Sequence, residues 1–431
     1  MSASATHRGW RGVVAAFGTP SALTLFLFGF GCGLPFLLVG YTLSIWLRDS
    51  GWDLGPIGLV SYITFFYVFK FLWAPLLDTR RAPVFGVLGR RRGWLAVSQI
   101  FLLLGLAAMG LVGPGVSVPL FLCMVALTAL AGASQDIMVD AYRIEIAPLE
   151  AQGALAATYI LGYRIGLICG GSLALYLAEF GGWGTAYLVM AALVLPPLLA
   201  TLLSREPVAP ARTGAERPSF GEAYVQPVLA FFRHKGVWFG LALLAFVGLF
   251  KLPDQMLGVI AGPFYRDSGF SKSEIGTVSG LYGVWIGIAG AFLGGIAVAA
   301  WGMRLPLVLA AFGVALSNLL FILMALYPGE LWTFVLTISG DNIAQGFAGT
   351  VLVAFMSSLV DRSYTATQYA LLSSLANLPG KLIGGVSGYM AGSWGYSGFF
   401  VFSTLSIVPT LLVLAWLWPR ISGAGTSAER S

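Results

Sequence analysis

The chain has 431 residues, of which 58% are hydrophobic, 10% charged and 14% aromatic, with 56 glycines and a formal net charge of +6. A soluble domain carries roughly 25% charged residues, so this composition cannot build a water-facing shell. A soluble enzyme, a disordered chain and a nucleic-acid-binding protein are excluded.

Apolar windows of about 20 residues recur along nearly the whole length, each sufficient to cross a hydrocarbon core. They are continuously apolar rather than alternating, and a spanning segment must satisfy its own backbone hydrogen bonds, so they are helices. Before the first window stand His7, Arg8 and Arg11 with no small-residue cleavage pattern, which reads as a cytoplasmic lead-in rather than a removed signal. Spans are predicted at 21–46, 56–77, 94–113, 119–142, 153–178 and 184–203. A second set follows at 237–265, 274–300, 304–327, 332–359, 365–391 and 396–418. The stretch 204–236 is polar and carries prolines at 207, 210, 218 and 227.

The predicted fold class is therefore an all-α polytopic membrane protein with twelve transmembrane helices. Residues 1–203 form one six-helix bundle, 204–236 a cytoplasmic linker and 237–431 a second bundle. With both termini cytoplasmic, 17 of the 24 lysines and arginines fall inside, three outside and four within spans. That asymmetry sets the orientation. Cys32, Cys123 and Cys169 are scattered through apolar spans, with neither a disulfide framework nor a metal spacing.

The halves repeat each other. Arg48-Asp49-Ser50-Gly51, Ile57-Gly58 and Val60-Ser61 recur 218 residues later as Arg266-Asp267-Ser268-Gly269, Ile275-Gly276 and Val278-Ser279. A shift of 216 carries Gln152, Ala154 and Leu155 onto Gln368, Ala370 and Leu371. Two such units in parallel orientation resemble the major-facilitator transporters, whose substrate site lies between the halves near the midplane.

Ionisable groups inside spans cost at least ~2.5–3.5 kcal/mol each at the bilayer centre and usually face a cavity. They are Lys70, Asp136, Asp140, Arg164, Lys251, Asp254, Asp341 and Lys381. Four bases and four acids leave the interior near neutral, and one bound proton makes it positive, which suits an anionic cargo. Asp136, Asp140 and Arg143 share one helical face. Asp140 and Arg143 are placed at a cytoplasmic gate, and Asp136, one turn deeper, at the proton. Arg164 falls mid-membrane, either on the substrate or as a fixed partner of Asp136. Lys251 and Asp254 flank Pro253, which removes a backbone donor and kinks its helix; their first-half counterparts are Gly33 and Phe36.

The substrate set expected from the sequence is Arg164, Lys251, Gln255, Gln135, Lys381 and Asn342, with Asp136, Asp254 and Asp341 for proton coupling. Lys381 is equally placed to pair with Asp341, and the long stem of Lys70 can snorkel toward the cytoplasm. Glycine groups such as Gly29/Gly31/Gly33, Gly166/Gly170/Gly171 and Gly384/Gly385/Gly388 predict close helix approach. Nothing in the sequence calls for a metal or cofactor, and no nucleophile–base pair marks an enzyme. The expected partners are a small anionic sugar-peptide, protons and the lipid bilayer.

Two motif sets carry a resemblance. Asp78 to Arg92, with Gly89-Arg90-Arg91-Arg92, is similar to an expanded major-facilitator loop signature, which implies a cytoplasmic gate at Asp78 and Arg90. The stretch Tyr67-Val68-Phe69-Lys70-Phe71-Leu72-Trp73-Ala74-Pro75-Leu76-Leu77-Asp78 resembles the AmpG muropeptide permease family. So do Ala133-Ser134-Gln135-Asp136, Leu161-Gly162-Tyr163-Arg164 and Ala366-Thr367-Gln368-Tyr369-Ala370-Leu371-Leu372-Ser373. That resemblance implies proton-coupled import of anhydromuropeptides across a bacterial inner membrane for peptidoglycan recycling. The rival cargoes are acetyl-coenzyme A or a siderophore, and a rival of another class is a non-transporting assembly factor on the same fold.

Overall fold

The computed structural model describes residues 19–146, 152–207, 229, 232–233, 236–359 and 365–421. Every regular element among them is helical. Eight stretches are long and apolar enough to cross a membrane. Two of these, Thr158–Leu203 with 46 residues and Asn377–Pro419 with 43, are about twice the length that one crossing needs. They break at Gly182 and Gly395, whose φ values of 79° and 71° leave the helical region.

The chain packs as two units. One gathers Met1–Ser50 with Ile63–Thr213, the other Gly51–Tyr62 with Gly214–Ser431. In the first unit, α1 (Pro20–Leu38) starts with proline at its first position, where no donor is missed, and Thr19 Oγ accepts from Ala22 N at 3.2 Å. It continues through α2 (Tyr41–Asp49).

The second predicted span is not one helix. It runs as α3 (Leu54–Val60), a 3-10 turn, α4 (Phe65–Val68), a second 3-10 turn at Lys70–Leu72 and α5 (Ala74–Thr79). Pro75 has no N–H to give to a carbonyl one turn back, and the ladder is interrupted just before it. Then come α6 (Arg90–Val116), α7 (Val118–Glu145), α8 (Gln152–Ile168), a π-helical turn at Cys169–Leu173, α9 (Ala174–Ala192) and α10 (Leu195–Leu203).

The second unit runs α11 (Val237–Phe250), α12 (Leu252–Asp267), the short α13 (Lys272–Ile275), a π-helical stretch at Gly276–Tyr282 and α14 (Gly283–Trp301). It ends with α15 (Arg304–Leu326), α16 (Leu331–Leu359), α17 (Thr365–Leu405) and α18 (Val408–Ile421). The predicted span 237–265 is interrupted at Lys251, whose ψ of −5° ends α11. Pro253 sits in the first turn of α12, and the two helices continue as one span over Val237–Asp267, so the interruption is the expected kink.

The glycines do what their grouping predicted. A Cβ on Gly29 or Gly33 would overlap the carbonyls of Tyr159 and Tyr163. Reciprocally, one on Gly162, Gly166 or Gly170 would overlap those of Phe26, Phe30 and Leu34. α1 and α8 therefore lie backbone against backbone, which fixes the register of Tyr159, Tyr163 and Arg164. In the second unit, Gly58 and Gly388 bring α3 against α17 in the same way, a Cβ on Gly388 overlapping the Leu54 carbonyl.

The repeat is visible in the backbone. Positive-φ glycines occur in matched places: Gly51 with Gly269, Gly89 with Gly302, Gly113 with Gly329 and Gly182 with Gly395. Both cores are aliphatic and aromatic, around Phe28, Met138 and Tyr142 in the first unit and Phe246, Leu307 and Phe355 in the second.

Candidate functional site

Each unit carries a polar cluster inside its spans. In the first, the broken stretch 65–79 leans on one face of α7. Tyr67 fills the space above Gly132, where a Cβ would overlap its hydroxyl. Trp73 Nε1 donates to Ser134 Oγ at 3.1 Å. Between these two contacts Lys70 Nζ meets Asp136 Oδ2 at 2.5 Å and Asp140 Oδ2 at 3.9 Å. Asp140 Oδ1 in turn lies 3.7 Å from Arg143, whose guanidinium covers the Tyr159 ring at 5.4 Å.

Asp136, Asp140 and Arg143 thus line one face of α7, and Lys70 of the broken second span completes a run of four alternating charges along it. Lys70 does not snorkel outward, because its helix breaks where its ammonium can reach two carboxylates. Asp136 takes Lys70 and not Arg164 as its partner. Arg164 is exposed and has no ion-pair partner among the described residues.

Next to this ladder lie two buried polar atoms, the Tyr67 hydroxyl and Gln135 Oε1, that find no partner among the described residues. Gln135 is fully buried, and its Nε2 points to the Cys32 sulfur at 3.7 Å. Unpaired buried polar atoms cost about 1–3 kcal/mol each, so they are expected where a polar ligand or water completes the set.

In the second unit, Lys251 occupies the break between α11 and α12, one turn ahead of Gln255. Lys251 Nζ and Gln255 Nε2 converge on Asn377 Oδ1 of α17, at 3.4 and 3.1 Å. Gly380, one turn on from Asn377, makes room, since a Cβ there would crowd Gln255. Asp254 makes no hydrogen bond or ion pair among the described residues, though it interacts electrostatically with both Lys251 and Asp341.

Asp341 is buried and accepts from Gln345 Nε2 of its own helix at 2.8 Å, so it is not held by Lys381. Asn342 spends its amide on the Ile338 carbonyl at 3.0 Å. Lys381 lies on α17 one turn on from Asn377 and makes interactions of its own.

At the cytoplasmic-predicted end, the structure reassigns the arginines. Arg90 and Arg91 grip Glu145, with Arg91 Nη2 at 2.6 Å and Nε at 3.0 Å in a two-pronged pair. Glu206 accepts from the backbone N–H groups of Arg91 and Arg92 at 2.8 and 3.0 Å, capping α6 where its dipole favours a carboxylate. Arg92 ties off the carbonyls of Thr201 and Leu202 at the end of α10. Arg90 and the pair Asp140/Arg143 therefore belong to two separate contacts, not one. The side chain of Asp78 lies outside the described residues.

Glu145 and Glu206 were not singled out by the sequence. A signal for Glu145 was present: an acid in the last turn of a helix opposes the dipole, which calls for a cation from elsewhere.

The family model for the Major Facilitator Superfamily matches residues 21–380. The chain is 36% identical over 400 residues to the anhydromuropeptide permease of Escherichia coli K12, covering 92% of this chain and 80% of that one. It is 32% identical over 402 residues to the putative transporter AmpG 4 of Rickettsia conorii, covering 92% and 96%. Among solved structures, the nucleoside transporter NupG superposes with a TM-score of 0.68 at 14% identity, covering 92% of this chain and 99% of that one. The D-xylose-proton symporter gives 0.68 at 13% identity, covering 93% and 97%.

Proposed function

The chain belongs to the Major Facilitator Superfamily and, within it, to the family of the anhydromuropeptide permease, and on that premise we propose that it imports anhydromuropeptides across the bacterial inner membrane in symport with protons. In this reading twelve crossings leave both termini in the cytoplasm, and 1–203 and 237–431 alternate about the 204–236 linker. The observation that carries the proton half is the Lys70–Asp136–Asp140–Arg143 ladder on the broken second span.

A carboxylate paired inside the membrane can be neutralised by one proton. Protonating Asp136 removes the closest partner of Lys70 and leaves an excess positive charge in the first unit. Anionic cargo is drawn to that charge, and its binding in turn favours retention of the proton, so the two are coupled.

Arg164 supports the same reading. An exposed arginine within a span offers a planar fork matched to a carboxylate, and nothing among the described residues occupies it. In the second unit, Lys251 and Gln255 share a single amide oxygen of Asn377. A cargo carboxylate or acetamido oxygen replaces that acceptor at small cost, since the 3.4 Å contact of Lys251 is a long one. The unpaired Tyr67 hydroxyl and Gln135 Oε1 suit the hydroxyl and amide groups of a sugar-peptide.

Uptake of labelled disaccharide muropeptide into proteoliposomes tests the reading. An inward proton gradient is expected to accelerate uptake, and a protonophore to remove the acceleration. Uptake indifferent to the gradient rejects symport, and absence of uptake rejects the cargo.

A further inference from the structure

Each unit closes the far end of its first span with the same latch. In the first unit Asp49 accepts a 2.9 Å bond from Trp183 Nε1, the residue after the positive-φ Gly182. In the second, Asp267 accepts a 2.5 Å bond from the Tyr396 hydroxyl, the residue after Gly395. The two aspartates are the matched acids of the repeated Arg-Asp-Ser-Gly.

Behind the latch the units differ. In the first, Trp183 stacks on Trp46 with centroids 5.7 Å apart and planes 11° from parallel, and Trp46 also packs on Phe121 and Tyr187. In the second, Phe264 stands in place of Trp46 and Tyr396 in place of Trp183, 4.8 Å apart. Two indoles have become a phenyl and a phenol. A notch of about 440 Å³ opens there, bounded by Phe264, Asp267, Pro328, Trp394 and Tyr396. Trp394 is itself an addition: its counterpart, one residue before the kink glycine, is Gly181. Its indole meets Phe402 edge to face at 5.4 Å and remains 53% exposed.

We propose that this notch binds a pyranose ring, with the Trp394 indole against the apolar face of the sugar and the Asp267 carboxylate accepting its hydroxyls. The volume falls within the usual range for small-ligand sites, about 300–1,000 Å³. A carboxylate has about four acceptor positions, and the bond from Tyr396 together with the other interactions of Asp267 fixes it in place. A flat apolar surface beside a fixed acceptor matches a ring with one apolar face and a rim of hydroxyls. The biological role rests on the proposed cargo: a muropeptide carries sugar rings, and the notch gives them a docking point remote from the mid-span clusters.

Binding of methyl N-acetyl-β-glucosaminide to the full chain in nanodiscs, followed by saturation-transfer NMR, tests the site without transport. The wild type is expected to bind. Trp394→Ala and Asp267→Asn should each weaken binding by about tenfold, or ~1.4 kcal/mol. Tyr396→Trp copies the first unit's latch while filling the notch, and should abolish binding with an unchanged melting temperature. Failure of the wild type to bind, or variants that bind as it does, overturns the proposal. Muropeptide uptake by the same protein in proteoliposomes reports separately on the cargo, so uptake without saccharide binding refutes the notch alone.

Discussion

Removing Lys70 should destabilise the protein more than removing either acid it holds, and the geometry gives the size. At 2.5 Å from Asp136 and an effective dielectric near 20, the gross attraction is about 6–7 kcal/mol. The two side chains retain 31% and 19% exposure, so desolvation offsets most of that attraction while water screens part of the rest. A net coupling of roughly 2 kcal/mol remains, below the 3–5 kcal/mol lost when one member of a fully buried pair is removed.

The effect is asymmetric. Asp136→Asn leaves Lys70 with Asp140, at 3.9 Å, whereas Lys70→Met leaves two carboxylates one helical turn apart with only Arg143 beside the outer one. We expect Lys70→Met to cost about 2–3 kcal/mol, Asp136→Asn about 1, and the double variant less than Lys70→Met alone. Thermal unfolding of the purified protein in nanodiscs measures all three. Additivity within about 0.3–0.5 kcal/mol would refute the pair as an energetic unit. In the same set, gradient-driven uptake should be lost wherever Asp136 is absent, including in the double variant that has recovered stability. Retained gradient dependence would remove Asp136 from the coupling step.

Glu206→Ala removes the acceptor for the Arg91 and Arg92 amides and should cost about 1–2 kcal/mol; hydrogen exchange should speed up at those two amides, and unchanged protection would refute the cap. Gly162→Leu forces a side chain into the Phe26 carbonyl and should cost roughly 3 kcal/mol by overpacking, seen as loss of the monodisperse peak in size-exclusion chromatography. Arg164→Ala and Lys251→Ala should each raise KM for muropeptide by about tenfold or more, as expected for a lost charge-assisted hydrogen bond. Wild-type KM values in both would take these residues out of the cargo site.

Much of the scaffold was legible because it depends on period and size. Long apolar runs identify helices, and glycines spaced by a turn mark where backbones touch, as Gly29 and Gly33 do against Tyr159 and Tyr163. The break at Lys251 followed from Pro253. The irregular course of the second span was less legible: the sequence 61–73 is apolar and aromatic throughout, and only Pro75 hinted that its hydrogen-bond ladder fails. Partner choice was least legible. Arg164 and Lys70 were both available to Asp136, and helical spacing alone does not decide between cations on different helices. The decision rests on where the second span breaks, and that depends on packing against α7, with Tyr67 over Gly132 and Trp73 on Ser134.

The repeat separates what the fold needs from what the chemistry needs. Features present in both units are backbone devices: the four matched positive-φ glycines and the acid that receives a hydrogen bond from the aromatic residue after the kink. These hold helix ends in place, and a duplicated bundle has use for them twice. The charged side chains inside the spans follow no such rule. Lys251, Asp254 and Gln255 stand where the first unit has Gly33, Phe36 and Leu37, and Gly33 is committed to backbone contact with Tyr163.

A lysine at position 33 would drive α1 off α8, so the first unit has no room for the second unit's chemistry at the equivalent place. It carries its charge on the broken second span instead. Two units with one scaffold thus present different polar faces: an ion-paired ladder in one, and an amide-bridged cation in the other.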